Sequence, residues 1–290
     1  MTNLRSLNPS IAVLGGTGKT GRRVAARLGA AGGTVRTAAR HHADARFDWD
    51  DVASYESALD RADAVYLVTQ SLRPGNAHEV AALLDRAEIA GIRHVTLLSA
   101  RGVDEAPAEV TARAIELELI SRDTLTHSIL RPNWFMQDFS ESFFQPSIAA
   151  DGVILAPTGD STEAFVSADD IAEVAVTTLL YPEGHAGAQY TLSGAEALSF
   201  AQVADRIAAA TGRTIKHVDL PVEEWVAKNL AGGMAKDYAQ LHVMLFEAIN
   251  AGNGSSISQD VERVTGHPSR YFDEYAMQAA TLASWTRAAA

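Results

Sequence analysis

The sequence contains no cysteine, no long apolar run and no cluster of positive charge. Without cysteine, disulfides and thiolate chemistry are excluded, and a reducing compartment is the expected setting. No segment reaches the roughly 18 apolar residues of a membrane span, and the amino terminus lacks the apolar core of a signal peptide. The formal net charge is −12, which argues against nucleic-acid binding because phosphate backbones require clustered positive charge. These absences predict a soluble cytoplasmic protein that binds neither membranes nor nucleic acids.

Hydrophobic residues make up 47% of the 290 residues, and up to residue 130 they follow an alternating strand and helix pattern. Short, almost continuously apolar segments alternate with segments of helical spacing, and this order is typical of a parallel sheet covered by helices. The predicted strands are Ile11–Leu14, Thr34–Ala39, Ala45–Trp49, Ala64–Thr69, His94–Ser99 and His127–Leu130, and the predicted helices are Thr20–Ala30, Asp51–Arg61, Ala77–Ala90 and Pro107–Ile120.

The pattern changes after Arg131, where an aromatic, loop-rich stretch leads into a mostly helical remainder. A helix is predicted over Asp169–Leu180, a strand over Gln189–Leu192, and a further helix behind the capping pair Ser199 and Gln202. The fold class is therefore predicted as α/β, a doubly wound Rossmann-type parallel sheet with a smaller carboxy-terminal domain. The predicted division is 1–132 for the nucleotide-binding domain, with strand and helix contributions from about 165–194, and 133–290 for a mostly small α/β substrate domain.

The stretch IAVLGGTGKTGRRV contains Gly-Lys-Thr, which suggests a phosphate loop, but its spacing excludes one. A phosphate loop requires glycine five residues before Gly18, and that position is Val13, inside the first strand. Gly15, Gly18 and Gly21 instead match Gly-x-x-Gly-x-x-Gly between a strand and a helix. That spacing allows a tight turn, close approach of the backbone to a pyrophosphate, and close helix–strand packing. The turn therefore predicts a dinucleotide.

The second strand indicates which dinucleotide is bound. Proteins that bind NAD place an acidic residue about 20 residues beyond the turn, where it bonds the ribose hydroxyls. Between Gly21 and Ala43 there is no acidic residue, and the strand ends in Arg40 instead. A guanidinium at this point can grip a 2′-phosphate, so the sequence predicts NADP(H). Arg36, four residues earlier, is a weaker candidate for the same side of the strand.

Several segments in this order make the chain resemble the NmrA-like atypical short-chain dehydrogenases/reductases. They are GGTGKTGRRV, TVRTAAR, DWDD, SILRPNWFMQDF, FVSADDIAEVA, YTLSGAEALSFAQVA and VTGHPSRYF. The resemblance is greatest to the branch that holds NAD(P)H quinone and azo reductases and ergot-alkaloid iminium reductases. It covers nearly the whole chain and implies a Rossmann domain, a small substrate domain, and NADP bound across the strand ends.

The resemblance also implies positions around the cofactor. Gly15, Thr17, Gly18, Lys19 and Thr20 would surround the pyrophosphate, and Arg40 the 2′-phosphate. Near the adenine it places Asp48 and Trp49, beside the nicotinamide ribose Thr69 and Ser99, and near the nicotinamide Asn133, Trp134 and Phe135. No metal ligands are implied.

One motif of ordinary short-chain dehydrogenases is absent. Their Tyr-x-x-x-Lys supplies a proton to the developing alkoxide, and the lysine lowers the pKa of the tyrosine. The sequence has four lysines, and none of them has a tyrosine four residues before it. The residues at those positions are Gly15, Gly212, Glu224 and Gly232. The helix in the corresponding place reads EVTARAIELELISR. Carbonyl–alcohol chemistry by the usual route and sugar epimerisation are therefore not expected.

Two functional classes remain open from the sequence. The first is an NADPH-dependent oxidoreductase that passes hydride to a flat, conjugated small molecule, such as a quinone, an azo compound, an enone or an iminium ion. Such acceptors need little acid catalysis, so positioning of flat rings would dominate. The second is a protein that binds NADP(H) without turnover and reports redox state, as NmrA-type regulators do.

Ser99 and Trp134 are the candidate catalytic residues of the first class. Ser99 ends the strand nearest the expected nicotinamide and could hydrogen-bond a substrate oxygen, but a serine there could equally cap a turn. Trp134 opens an aromatic run that could wall a pocket for a flat ring. The same run could be ordinary core, which is the favoured interpretation for Phe143 and Phe144.

Overall fold

The computed structural model describes residues 9–70, 73 and 75–286. In chain order the strands of this part are β1 (Ser10–Leu14), β2 (Thr34–Ala39), β3 (Ala45–Arg46), β4 (Ala64–Val68), β5 (His94–Leu98), β6 (Thr126–Pro132), β7 (Val153–Leu155), β8 (Thr162–Glu163), β9 (Ala188–Leu192), β10 (Leu198–Ser199) and β11 (Lys216–Val218).

The α-helices of the same part follow the predicted alternation. They are α1 (Gly21–Ala30), α2 (Ala53–Leu59), α3 (Asn76–Ile89), α4 (Thr111–Ile120), α5 (Gln145–Asp151), α6 (Ala168–Leu180), α7 (Phe200–Thr211), α8 (Val222–Ala231), α9 (Lys236–Asn250), α10 (Asp260–Thr265) and α11 (Phe272–Thr281). Every helix in the described part is too short or too polar to cross a bilayer.

Seven parallel strands form the main sheet in the order β3-β2-β1-β4-β5-β6-β9. The order reverses direction at β1, so the chain winds outward to both sides, as in a doubly wound fold. One face packs on α2, α3 and α4 through a continuous apolar core, and α1 and α6 pack together on the other face. The predicted α/β fold with a parallel sheet is confirmed.

Chain contacts divide the protein into two compact units. Unit 1 contains residues 9–132, 168–192 and 260–267, which hold the main sheet with α1–α4, α6 and α10. Unit 2 contains residues 133–167, 193–259 and 268–286. Its core is an aromatic cluster between short sheets and α5, α7, α8, α9 and α11. Ser199 and Gln202 form the predicted capping box at the start of α7.

Salt bridges fix α1 to α6 within unit 1, although the two helices lie far apart in the sequence. Arg23 and Arg27 of α1 both contact Asp169, at 3.2 and 2.9 Å. Arg27 also reaches Glu173 at 3.1 Å, and Glu173 accepts from His267 at 2.6 Å. The helix that opens at the glycine-rich turn is therefore held by a segment near residue 170.

A buried polar cluster lies within the sheet of unit 1, on the opposite side from the apolar core of α2–α4. His94 Nδ1 is 2.9 Å from Thr126 Oγ1, and its Nε2 is 3.3 Å from Thr96 Oγ1. Thr96 in turn contacts Thr178 of α6 at 2.9 Å. Burial, aided by His127 and His185, lowers the pKa of His94 to about 4. The imidazole is therefore neutral in the native protein at neutral pH.

Because of His94, we expect the free energy of unfolding to decrease in mild acid. Its pKa is lower in the folded state than in the unfolded chain, so its stabilising effect is complete above about pH 6.5 and is lost as the pH falls towards 4. The shift corresponds to about 3 kcal/mol across this window. Replacing His94 with Gln should flatten the dependence of unfolding free energy on pH, measured by denaturant titration. His41→Gln, at an exposed site, is the control; an unchanged slope in His94→Gln would contradict the assignment.

Candidate functional site: a dinucleotide cradle at one edge of the sheet

The turn after β1 has the geometry that its three glycines predict. Gly15 has a φ of +69°, a left-handed conformation that favours glycine. The N–H of Gly18 donates to the carbonyl of Gly15 at 2.8 Å and closes the turn. Helix α1 begins three residues later, at Gly21. A tight turn therefore delivers the amino end of a helix to the carboxyl edge of the parallel sheet.

Two glycines of this turn are packed too closely for any side chain. A Cβ atom on Gly21 would lie 2.2 Å from the carbonyl oxygen of Gly15, and one on Gly16 would lie 2.8 Å from Cβ of Thr37 in β2. Gly16 was not among the predicted site residues, and its position in GGTG is the only sequence signal that could have indicated it. These contacts press α1 and β2 against the turn.

The crest of the turn is open, which suits a bound pyrophosphate. Thr17 and Gly18 are exposed, Lys19 is partly buried and Thr20 is buried immediately before α1. A Cβ atom on Gly18 would meet only the Gly15 carbonyl, at 3.2 Å, so the rest of its surroundings is free for a ligand. Exposed backbone N–H groups at a helix start are a standard anion site. The residues present therefore fit the phosphates of a dinucleotide.

The end of β2 separates the two predicted arginines. Arg36 donates to the carbonyl of Ser57 at 3.3 Å and lies 3.6 Å from Asp60, so α2 and the residue after it hold its guanidinium. Arg40 is exposed, and its side chain has no hydrogen bond or ion pair to any residue that the structure describes. Of the two arginines, Arg36 is thus engaged within the protein and Arg40 is not, and the contact of Arg40 with a 2′-phosphate stays a prediction.

The first acidic residue beyond the turn is also engaged. The carboxylate of Asp44 accepts from the N–H of Thr37 at 2.9 Å and from its hydroxyl at 2.7 Å. The hydroxyl bond from Thr37, together with the backbone bond, lowers the pKa of Asp44 below its usual range. Asp44 therefore fixes the loop after β2 through one oxygen of its carboxylate.

We expect Arg40→Ala to weaken NADPH binding roughly 10- to 100-fold, the equivalent of losing about 1.5–3 kcal/mol from a charged hydrogen-bonding partner. NADH, which lacks the 2′-phosphate, should lose much less affinity. Fluorescence titration of both cofactors measures the difference. Arg36→Ala is the matched control and should leave both affinities nearly unchanged. Equal losses of NADPH and NADH in Arg40→Ala would rule out this role for Arg40.

Asp48 and Trp49, predicted near the adenine, lie in the loop after β3. The N–H of Asp48 donates to the hydroxyl of Ser54 at 3.0 Å. Trp49 is only 7% exposed and packs edge-on against Phe47 and Tyr55, whose hydroxyl donates to the Trp49 carbonyl at 2.9 Å. This loop is thus anchored in the apolar core of unit 1, and its contact with an adenine stays a prediction.

Thr69 and Ser99 follow β4 and β5, which are neighbours in the sheet, so both lie at the same edge as the turn. Both are partly buried. The hydroxyl of Ser99 donates to Oε1 of Glu116 at 2.6 Å. Glu116 lies on α4, the helix that carries Tyr-x-x-x-Lys in ordinary short-chain dehydrogenases. A carboxylate therefore contacts the serine at this edge.

Glu116 is fully buried and held by two arginines. Arg131 of β6 donates from Nε to Oε1 and from a terminal nitrogen to Oε2, both at 2.8 Å, and Arg113 donates to Oε2 at 2.8 Å. Burial by itself would raise the pKa of Glu116, but the bonds from Arg131 and Ser99 keep it below its usual range. The carboxylate is ionised at neutral pH. The sequence contained Glu116 and Arg131, but no spacing rule linked them.

Asn133, the first of the residues predicted near the nicotinamide, directly follows β6 and opens unit 2. It is 4% exposed, and its amide donates to Oε1 of Glu163 at 2.7 Å and to the carbonyl of Gly254 at 2.8 Å. A Cβ atom on Gly254 would overlap the Glu163 carboxylate, so that carboxylate lies directly on the glycine. The Asn133 amide group is thus committed inside unit 2.

Trp134 and Phe135 are partly buried. The indole of Trp134 stacks on Phe246 and Phe144, with ring centroids 5.7 and 6.1 Å apart, and meets His242 edge-on at 6.2 Å. Phe135 pairs with Val166 through a backbone bridge. The aromatic run therefore forms core in unit 2, and Trp134 retains an exposed part. Whether that part meets a ligand stays a prediction.

The comparisons with known proteins assign the family. The sequence model of the NmrA-like family matches residues 8–276. The chain belongs to the NmrA-like family. The chain is 37% identical to the uncharacterized oxidoreductase YesF of Bacillus subtilis, with 96% of this chain and 97% of that protein covered. It is 29% identical to agroclavine dehydrogenase of Claviceps fusiformis (92% and 96% covered) and 28% identical to the NAD(P)H azoreductase of Xenophilus azovorans (92% and 96%).

Solved structures agree on the fold. An NADPH-dependent quinone oxidoreductase of Escherichia coli superposes with a TM-score of 0.70 at 21% identity, with 93% of this chain and 98% of that one covered. NmrA, a negative transcriptional regulator solved with NAD, superposes with 0.73 at 16% identity (96% and 97% covered). A reductase and a regulator share this architecture, so the fold alone does not separate the two functional classes.

Proposed function

We propose that this NmrA-like protein is an NADPH-dependent oxidoreductase that reduces a flat, conjugated small molecule such as a quinone, an azo compound, an enone or an iminium ion. The oxidoreductase class and the NADP(H) cofactor, both predicted from the sequence, are confirmed by the relatives, which include agroclavine dehydrogenase and an NAD(P)H azoreductase. The kind of acceptor is our proposal.

One observation carries the choice of acceptor. At the strand edge, Ser99 is backed by the carboxylate of Glu116 and not by a tyrosine–lysine pair. An ionised carboxylate has no proton to give, and it accepts a hydrogen bond from the serine hydroxyl, so that the hydroxyl proton points away from a ligand. The described residues around Ser99 thus offer no strong acid for a developing alkoxide. Acceptors that tolerate hydride without an acid are quinones, which form a stabilised anion and take a proton from water, and iminium ions, which become neutral amines.

The bound cofactor supplies hydride, an electron pair with a proton, to the acceptor. The residues of the chain position the cofactor and the acceptor. We propose that Gly15, Thr17, Gly18, Lys19, Thr20 and Gly21 hold the pyrophosphate, that Arg40 holds the 2′-phosphate, and that Asp48 and Trp49 flank the adenine. We further propose that Thr69 and Ser99 lie beside the nicotinamide ribose, and that Asn133, Trp134 and Phe135 lie near the nicotinamide.

The second candidate function is a redox sensor that binds NADP(H) without turnover, and the fold, which this chain shares with a regulator, is compatible with it. NADPH oxidation, followed at the nicotinamide absorbance, should be tested against one quinone, one azo dye, one enone and one cyclic iminium ion. We expect at least one class to be reduced well above the rate without protein. Tight NADPH binding with background rates for all four classes would instead favour the sensor.

A further inference from the structure

The hydrogen-bond donor of Ser99 is already used inside the protein. Its Oγ lies 2.6 Å from Oε1 of Glu116, a short contact typical of a hydroxyl bound to an anion. Glu116 receives three further bonds from guanidinium nitrogens, which can only donate. The carboxylate is therefore the acceptor in every one of these contacts, and the Ser99 hydroxyl must be the donor.

The Ser99 oxygen keeps its lone pairs, so it can present only an acceptor to a bound molecule. Turning the hydroxyl proton towards a ligand would remove a charge-assisted bond from a fully buried carboxylate, which costs more than an ordinary hydrogen bond returns. The Ser99–Glu116 contact is held in place by the further bonds of Arg131. Arg131 is 5% exposed along its side chain and is also bonded to Gln189 at 2.7 Å and paired with Asp104 at 3.4 Å.

We propose that Ser99 accepts a hydrogen bond from an N–H group of the hydride acceptor, and that Glu116 is the positioning residue that fixes this polarity. The inference rests on the proposed function and narrows its acceptors to flat cations with an N–H, that is, protonated imines. Hydride adds to the imine carbon, the π electrons of the C=N bond move to nitrogen, and the product is a neutral amine that keeps its N–H. No proton is taken from the protein, so the lack of an acid at this edge has no consequence for the reaction.

The formal charges near Ser99 would not by themselves favour a cationic acceptor. Glu116 and Asp104 carry two negative charges, and Arg131 and Arg113 carry two positive ones, so the group is neutral as a whole. Recognition would therefore depend on the N–H donor and not on the positive charge of the acceptor. Two cations that differ only in this N–H provide the direct test.

The test compares protonated 3,4-dihydroisoquinoline with its N-methyl cation, which has the same ring and charge but no N–H. At mildly acidic pH, wild-type protein should reduce the N–H cation with a kcat/KM roughly tenfold or more above that of the N-methyl cation. Ser99→Ala should remove this preference by lowering only the first value. Ser99→Thr, which keeps the hydroxyl, should restore it. Equal losses for both cations in Ser99→Ala, or a preference that survives it, would overturn the proposal.

Glu116→Gln tests the positioning role. The amide oxygen can take the place of Oε2 towards Arg131 and Arg113, and the NH₂ group then takes the place of Oε1 towards Ser99, with loss of the bond from Arg131 Nε. This frees the Ser99 hydroxyl proton to point at the ligand. The preference for the N–H cation should then fall at least several-fold, while reduction of a quinone, whose oxygens only accept hydrogen bonds, should gain relative to it. A merely structural role would lower all rates together. If Glu116→Gln fails to fold in a thermal melt, the Ser99 variants decide, because they leave the Glu116–Arg131 pair intact.

Calorimetric titration of both cations into the protein saturated with NADP⁺ gives a readout without turnover. Wild type should bind the N–H cation more tightly, and Ser99→Ala should bind the two equally. Reduction of quinones with neither cation bound or reduced would overturn the narrower proposal while leaving the proposed function in place. Selective binding of the N–H cation with no turnover of any acceptor would overturn the proposed oxidoreductase function, while the hydrogen bond from the cation to Ser99 would stand.

Discussion

Gly21→Ala should abolish NADPH binding and destabilise unit 1 by about 3 kcal/mol or more. The added methyl would lie 2.2 Å from the Gly15 carbonyl oxygen and 2.8 Å from its carbon. Both atoms belong to the backbone of the turn, so no side chain can move aside to make room. Relief requires α1 to shift away from β1, which opens the turn that is proposed to hold the pyrophosphate.

Gly29→Ala is the matched control, because Gly29 belongs to the same helix and a methyl there meets nothing within 4 Å. Alanine is favoured over glycine in helices, so this variant should be unchanged or more stable by up to about 1 kcal/mol. Thermal melts and NADPH titrations of the two variants give the comparison. A Gly21→Ala protein with the melting temperature and NADPH affinity of Gly29→Ala would show that the close packing at the turn is unimportant.

Arg131→Met should cost about 3–5 kcal/mol of unfolding free energy, because it removes the bidentate partner of a fully buried carboxylate. Arg113→Met is the control. Arg113 makes one bond to Glu116 from a side chain that is 20% exposed, and its loss should cost about 1 kcal/mol. The double variant Arg131→Met with Glu116→Leu should recover much of the loss, since no buried charge then lacks a partner.

The same variant has a predictable dependence on pH. In the wild type the pKa of Glu116 is lowered, so its contribution to stability is present above the unfolded pKa and is lost as the pH falls through the folded one. In Arg131→Met, burial is opposed by fewer partners, the pKa rises, and Glu116 can fold in its protonated form. The deficit of Arg131→Met should therefore be largest at neutral pH and shrink in acid. A deficit that is constant with pH would assign it to lost packing.

The sequence predicts the sheet of unit 1 well because its strands are short apolar runs between clear helix signals. It predicts β3 too long, over Ala45–Trp49 where the structure has Ala45–Arg46. Phe47 and Trp49 extend the apolar pattern because they enter the core, but the backbone turns at Asp48, whose carbonyl accepts from Asp51. The pattern records which side chains are buried and not whether the backbone is paired.

Helix α4 shows the same limit at its start, since it begins at Thr111 and not at Pro107. The turn in which the N–H of Val110 donates to the Pro107 carbonyl precedes it without joining it. The candidate site was predictable where a local spacing defines it, as at the glycine turn and Arg40. The link between Glu116 and Arg131 arises only when a helix and a strand pack together, so no local pattern in the sequence contains it.

The bonds between α1 and α6 have a consequence for biosynthesis. The first 132 residues contain β1 to β6, but β9, which pairs with β6, and α6, which covers α1, lie beyond residue 167. A nascent chain that ends before them exposes an unpaired β6 edge and an uncovered sheet face, both of which promote aggregation. High contact order of this kind slows folding. The nucleotide-binding half therefore cannot complete its fold on the ribosome until residues well past its apparent end have emerged.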